Sequence, residues 1–391
     1  MQLANNSHLA YCTNIHRGSS WPETIDSLDK FALSVRDQVS PDREYAIGLR
    51  LGASAARELS DPVPLLEFQR WLEKNNCYVF TINGFPYGDF HGTRVKDQVY
   101  RPDWTSPDRL EYTNLLFDLL CEILPAGMEG SVSTLPGSFK RFITTKEQQT
   151  AIFDNLISNA EHIAKLSEST GHDLHLGLEP EPLGYFETSQ ESVKFFDRLL
   201  DYAPEKKDLL LRHLGINYDT CHLAVEYETA DESLRRLVEQ DIRISKIHLS
   251  SALKVADFSE STLSALSGFC EETYLHQVIA RTGNESLVRY EDLDLALDAR
   301  AAGQDNADEW RIHFHIPIHA EPKKPLYSTS DHILGTLDFL KERPETCRHF
   351  EMETYTWEVL PGDLGKTDVV DQLVREYGWT LEAFDARGLG R

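Results

Sequence analysis

Along most of the chain, short apolar runs alternate with longer segments whose apolar residues recur at helical spacing. The strand-like runs fall at 9–15, 45–51, 77–82, 131–135, 174–179, 214–219, 242–249, 311–318 and 349–355. Helical patterns over 21–39, 53–73, 107–124, 145–170, 189–211, 232–240, 331–342 and 367–377 lie between most of them. Several open on a capping residue and an acidic first turn, as in Thr144-Thr145-Lys146-Glu147 and Ser330-Asp331. Alternating strand and helix predicts a parallel sheet with helices outside. With this many units, closure into a (β/α)8 TIM barrel is favoured over an open doubly wound sheet. No Gly-rich dinucleotide fingerprint follows any strand, so no nucleotide cofactor is expected.

Nine strand-like runs are one too many for such a barrel. Runs at 274–281 and 286–290, separated by Thr282-Gly283-Asn284-Glu285, predict a β-hairpin. The expectation is a single domain over 1–391 with a hairpin insertion after the seventh strand, at about 255–310, and the 311–318 run is a candidate member of it. A second irregular stretch runs from Asn83 through Phe85, Tyr87, Asp89 and His91 to Trp104. It reads either as a lid or binding loop, with His91 a candidate substrate contact, or as an Ω-loop packed on its own aromatics.

Composition narrows the class. The chain has 391 residues, 41% hydrophobic and 26% charged, as in a globular enzyme. No run approaches about 18 apolar residues, so no membrane span is expected. The first residues lack the basic and apolar regions of a secretory leader. Six cysteines, at 12, 77, 121, 221, 270 and 347, form no CxxC pair and read as reduced thiols of a cytoplasmic protein. The formal net charge of -25 repels phosphate backbones and argues against nucleic acid as the main partner. A small anionic substrate stays compatible, because a metal can dominate the field of its own site.

The candidate chemistry gathers at strand ends. Glu179 follows Leu176-Gly177-Leu178, and Glu181 falls two residues on, toward the same side. Flanking Pro180 and Pro182 make this either a stiffened pair of barrel-mouth carboxylates or a surface turn. Asp219 and His222 form a D-x-x-H pair that can reach one ion, with His222 alternatively touching substrate. His248 ends the next strand; alone it would read as a satisfied core histidine, and its weight comes from standing one strand beyond Asp219. Glu351 and Glu353 end the last strand and share a side. Glu, Asp, His and Glu from four strand ends make a mixed oxygen and nitrogen cage. It suits one Mn²⁺, Mg²⁺, Co²⁺ or Zn²⁺ and leaves positions open for a small-molecule substrate. His313, His315 and His319 form another group, of which 313 and 315 share a strand face. They line the site as substrate ligands, hold a second metal, or sit on the inserted sheet without chemistry. His8 and His16 flank the first strand and receive no role.

The order Glu179, Asp219-Thr220-Cys221-His222, His248, Glu353 resembles the xylose isomerase-like TIM barrels, which include sugar epimerases and endonuclease IV-type enzymes. The likeness spans most of the chain. Leu178-Glu179 and Met352-Glu353-Thr354 match that superfamily's strand ends, which implies Glu179 over Glu181 and Glu353 over Glu351 as ligands. More narrowly, the strings at 8–21, 83–92 and 353–361 are similar to the EboE "metabolite traffic" family, whose reaction is undefined. Endonuclease IV-type enzymes carry further histidines on the third and fourth strands, where this chain has Asn83-Gly84 and Leu135. A three-zinc centre and DNA cleavage are therefore not expected. The superfamily's sugar epimerases place an Arg six residues after the His; here Lys254 keeps the cation without the bidentate fork.

The resemblance implies Glu179, Asp219, His248 and Glu353 as ligands of one divalent metal, with Glu179 and Glu353 also the acid and base. His222, Glu181, Lys254, His91 and His315 are candidate substrate contacts. The expected function is isomerisation or epimerisation of a small sugar, polyol or keto metabolite, by proton transfer next to a metal-bound carbonyl. Two alternatives stand: metal-dependent hydrolysis of a small phosphoester, with His222 and His315 recruited to a second metal, and non-catalytic metabolite binding or traffic. Association of copies through the outer helices is compatible with such a barrel.

Overall fold

The computed structural model describes residues 1–88, 95–283, 286–322, 324–356 and 368–391. Eight parallel strands close into a barrel: β1 (His8–Cys12), β2 (Tyr45–Arg50), β3 (Cys77–Asn83), β4 (Gly130–Thr134), β5 (Leu174–Leu178), β6 (Leu214–Asp219), β7 (Arg243–Leu249) and β13 (His349–Met352). Around the ring they follow chain order, with β13 between β7 and β1. Nearly every residue of these strands is buried, as expected for a parallel sheet filled inside and covered by helices outside.

Two helical patterns that look continuous in sequence are broken. The 53–73 pattern divides into Ala53–Leu59 and Pro62–Lys74, and the 189–211 pattern into Ser189–Tyr202 and Lys207–His213. Pro62 opens the helix after the first break, and Pro204 opens a 3-10 turn after the second. A proline has no N–H for the preceding turn and clashes with it, so it ends one helix and opens the next. The first strand stops at Cys12, and Thr13–Ile15 turns as a 3-10 helix.

The surplus run, 311–318, belongs to a second sheet. β8 (Ser251–Val255), β9 (Val278–Thr282), β10 (Ser286–Tyr290), β11 (Glu309–Ile316) and β12 (Leu326–Ser328) pair antiparallel in the order β10-β9-β11-β8-β12. This sheet draws on residues from Ser251 to Ser328, beyond the expected 255–310, and takes in the 311–318 run as β11. It has its own apolar core around Leu253, Val278, Trp310 and Phe314. It is fastened to the barrel through the helix Thr220–Val225: Cys221 and Val225 pack with Ala252 and Ile279. Arg311 Nη1 donates to the Ala224 carbonyl at 2.6 Å, and Arg289 pairs with Glu187 at 2.9 Å and with Glu226.

Inside the barrel, Gly177 on β5 stands in register with Gly215 on β6. A Cβ at Gly215 would meet the Arg243 carbonyl oxygen at 2.4 Å, so only glycine lets β6 and β7 approach there. Gly215→Ala is expected to cost about 1–3 kcal/mol by overpacking, read as a lowered urea midpoint. Gly378 lies within the helix Val369–Asp385, and a Cβ there would meet no atom within 4 Å. At that position Gly378→Ala should instead stabilise, by up to about 1 kcal/mol.

Candidate active site

The C-terminal ends of β5, β6, β7 and β13 bring together Glu179, Asp219, His248 and Glu353. One ligand atom from each lies within 4.8 Å of the others, and all four side chains are buried. Asparagines set the orientation of the glutamates. Asn217 Nδ2 donates to Glu179 Oε2 at 2.7 Å; Asn14 Nδ2 and, at 3.4 Å, Asn83 Nδ2 donate to Glu353 Oε1. The remaining oxygens, Glu179 Oε1 and Glu353 Oε2, face His248 Nδ1 at 3.2 and 3.1 Å. Asp219 Oδ1 accepts from Cys221 N at 2.7 Å, His222 N at 3.0 Å and Ser250 Oγ at 2.6 Å, which caps the helix Thr220–Val225. Asp219 Oδ2 is left 3.6 Å from His248 Nδ1 with no hydrogen-bond donor among the described residues.

A second layer lies beneath. His248 Nε2 donates to Glu351 Oε2 at 3.1 Å, and Lys246 Nζ donates to the same oxygen at 2.7 Å. Burial alone would raise the Glu351 carboxyl, but Lys246 and then His248 hold it down at about 2. A Cβ at Gly48 would fall 1.9 Å from Glu351 Oε1, so β2 needs a glycine where this carboxylate rests. Glu351 thus fixes the His248 ring and turns Nδ1 toward the three carboxylates above. Asn217 Nδ2 lies 3.3 Å from this Nδ1, and the carboxylate oxygens around it favour a cation there. Burial opposes a proton on His248, yet Glu353, ahead of Glu179, outweighs it and raises the imidazole well above its ordinary 6.5.

The donor set fits a divalent ion. Three carboxylates and one oriented imidazole converge, and one carboxylate oxygen is orphaned among the described residues. Glu179, Asp219, Glu351 and Glu353 also bury four carboxylates against two cationic groups, Lys246 and His248. A divalent ion in place of the His248 proton lessens that excess.

The other candidate residues separate. Glu179, Glu181, His222, His313, Glu353 and Tyr355 line one cavity above the quartet. Burial, then Glu179, pushes the Glu181 carboxyl well above its ordinary 4.5. His315 reaches the same mouth from β11, with Nδ1 3.1 Å from the Glu353 carbonyl. Glu351 is not at the mouth; it lies one layer down on the far side of the His248 ring. Lys254 is on the inserted sheet, its Nζ 3.7 Å from Glu309 Oε2. The chain leaves the barrel at Ser251, and Lys254 is not among the residues that line the cavity. His91 lies outside the described residues. His8 sits at the opposite end of the barrel beside Tyr78, and His16 stacks on Phe31.

Sequence reasoning missed Asn14, Asn83, Asn217 and Lys246. A signal existed for two of them. Asn217 and Lys246 lie two residues before Asp219 and His248, so each shares its ligand's inward face within an apolar strand.

No family model matches the chain, and no curated protein matches it. Solved structures do. A structure described as L-ribulose 3-epimerase aligns over 99% of this chain and 96% of its own, at 13% identity and a TM-score of 0.51. A D-tagatose 3-epimerase-like protein covers 97% of each chain at 14% identity and a TM-score of 0.49. A xylose isomerase domain containing protein from Salmonella typhimurium covers 97% of this chain and 99% of its own, at 12% identity and a TM-score of 0.43. The likeness to the first of these shows a shared (β/α)8 barrel fold.

Two outcomes test the architecture of the site. Lys246→Met strips Glu351 of one of its two buried partners and should destabilise the protein by roughly 3–5 kcal/mol, measured by chemical denaturation. Glu376, on the last helix, accepts from Thr354 Oγ1 at 2.8 Å and Ile318 N at 3.1 Å, bracing the chain just past Glu353. Burial raises its carboxyl from 4.5 to about 7. A raised folded value gives stability that is full below pH 4.5 and lost as pH rises through about 7. Glu376→Gln should abolish that slope, amounting to on the order of 3 kcal/mol, in denaturation curves taken across this window.

Proposed function

We propose that this protein is a divalent-metal-dependent isomerase or epimerase of a small sugar, polyol or keto metabolite. One observation carries the reading: Glu179 and Glu353 converge on the same cage from strands three positions apart in a ring of eight, and both line the cavity. Two carboxylates at opposite sides of a bound carbon can remove a proton from one face and return one to the other. Glu179, Asp219, His248 and Glu353 would hold the ion, which supplies polarisation of a carbonyl and stabilisation of the charge formed by deprotonation. Asn217 keeps Glu179 in place, and Asn14 and Asn83 keep Glu353 in place, each by occupying one oxygen and leaving the other turned into the cage. Glu181, driven toward its neutral form, is suited to donate a hydrogen bond to a substrate hydroxyl. The aromatic wall of Phe85, Tyr100, Tyr274 and Tyr355 matches the apolar face of a small ring. The fold shared with a protein described as L-ribulose 3-epimerase is compatible with this chemistry.

Hydrolysis of a small phosphoester is the second reading. It is favoured by the histidines that β11 adds beside the quartet. The resemblance to the metabolite-traffic family leaves a third, binding without turnover.

The test is solvent deuterium entry into a C–H of ketoses and polyol-derived ketones, with Mn²⁺ or Co²⁺ supplied. Exchange is expected with the wild type and should fall about 10²–10⁴-fold in both Glu179→Gln and Glu353→Gln. Phosphate release without exchange would move the assignment to hydrolysis. Tight ligand binding with neither would move it to traffic.

A further inference from the structure

The N-terminal end of the barrel, opposite the mouth, holds a separate group of donors. His175 on β5 and His349 on β13 meet inside the barrel with ring centroids 5.3 Å apart, although β6 and β7 separate their strands in the ring. Glu129, the residue before β4, joins them, and one ligand atom from each of the three lies within 4.8 Å of the others. His175 is 1% exposed, yet neither of its ring nitrogens has a hydrogen-bond partner among the described residues. Its Nε2 stands 4.0 Å from Glu129 Oε2, too far for a hydrogen bond. Ser131 Oγ donates to Thr81 Oγ1 at 2.8 Å, so it accepts from His349 Nδ1 at 2.9 Å and leaves Nε2 of that ring bare. Buried polar groups are rarely left unpaired, and here the gap lies between two imidazoles and a carboxylate.

We propose that Glu129, His175 and His349 bind a Zn²⁺ ion at this end of the barrel, where it staples β5 to β13. Two imidazoles and one carboxylate are a three-ligand zinc set that leaves a fourth position for water. Ligand atoms about 2.0–2.1 Å from an ion stand roughly 3.3 Å apart at a tetrahedral angle and about 4 Å apart at a wide one, so the 4.0 Å gap between His175 and Glu129 has the span of two ligands with an ion between them. Two of the ligands are already oriented from behind: Ser131 holds His349 Nδ1, and Arg348 holds Glu129 Oε1. Arg243 approaches Glu129 Oε2 at 3.4 Å but pairs more closely with Asp173, at 2.7 Å, so it leaves that oxygen available. Among these groups Arg348 and Arg243 are matched by Glu129 and Asp173, and Glu44 on the cavity wall adds a further acid. A cavity of about 370 Å³, lined by Glu44, Tyr78, Glu129, Arg348 and His349, gives the ion its way in. Glu179 and Glu353 stand four residues beyond His175 and His349 on the same chain segments, about 13 Å away at the rise of a strand. An ion here would therefore brace the two strands that deliver those carboxylates to the mouth, without touching the mouth itself. The donor geometry carries this site independently of the isomerase reading.

The experiment is X-ray diffraction at the zinc absorption edge on crystals of the full-length protein, loaded with Zn²⁺ and freed of excess by gel filtration, beside thermal unfolding with Zn²⁺ and after chelation. An anomalous peak is expected among Glu129, His175 and His349, apart from any at the mouth. Glu179→Gln/Glu353→Gln, which weakens the mouth, should keep that peak and should still unfold at a higher temperature with Zn²⁺ than without. Glu129→Gln in the same background leaves both buried rings in place and changes only a partly exposed side chain. It should fold, lose the rise in unfolding temperature, and bind Zn²⁺ more weakly by at least the roughly 10-fold that losing an outer partner costs. Ordered water without anomalous signal between His175 and His349, or Zn²⁺ affinity undiminished by Glu129→Gln, overturns the proposal. Absence of deuterium exchange in a protein that shows the peak would count against the isomerase reading alone.

Discussion

The structure depends on how the barrel tolerates acid in its interior. Glu179, Asp219, Glu351 and Glu353 are all buried, in a chain whose overall charge already repels further anions. Each buried carboxylate needs a partner, because its desolvation costs far more than surface ion pairing can return. Lys246 supplies the lower partner and His248 joins the two layers, with Glu351 on one ring nitrogen and three carboxylates on the other. Gly48 is a glycine because Glu351 fills the space of its side chain. Asn14, Asn83 and Asn217 donate to oxygens that would otherwise be unpaired. These neighbours make sense as the setting of a group of like charges held ready for an ion.

The inserted sheet follows from the same site. It begins at Ser251, with only Ser250 between it and the strand that carries His248, so the placement of its first strand is tied to that of the ligand. Its other anchor is the helix that Asp219 caps and that bears His222. Two of the barrel's own polar residues thus fix the place from which β11 projects its histidines. The register irregularity in β11 matters for this reason: a regular strand would have kept pairing with β8 through the positions that turn inward.

Much of this was legible in the chain. The alternation of strand and helix, and the carboxylates and imidazoles at strand ends, are local patterns of period and position, and they survive folding because a parallel barrel puts every strand's C-terminal end at one mouth. What escaped was set by tertiary context. Pro62 and Pro204 divided helices whose apolar periodicity ran on across the break. Lys254 matched a spacing that assumes the chain stays in the barrel after β7, whereas it crosses at once to another sheet. The closeness of His222 to His313 and His315 joins positions far apart in sequence, and no periodicity encodes it. Lys246 was readable in principle, since an amine on the inward face of an apolar strand requires a buried acid, and Glu351 is that acid.

The charge balance also bears on what the cavity can accept. Of the side chains that line it, Lys96 is the one lysine or arginine among the described residues, and its ammonium is already engaged by Asp292 at 2.6 Å and by the Glu271 carbonyl at 2.9 Å. A phosphorylated substrate would find carboxylates and aromatic rings, and its charge would have to be met by bound ions alone. A neutral polyol or ketose needs no such compensation: its hydroxyls can donate to the carboxylates, and Glu181, whose burial favours the neutral carboxyl, is placed to donate in return, while a ring face can rest on tyrosine. On this ground the uncharged substrate is the better match to the walls, and the isomerase reading gains over hydrolysis of a phosphoester from the electrostatics of the cavity itself.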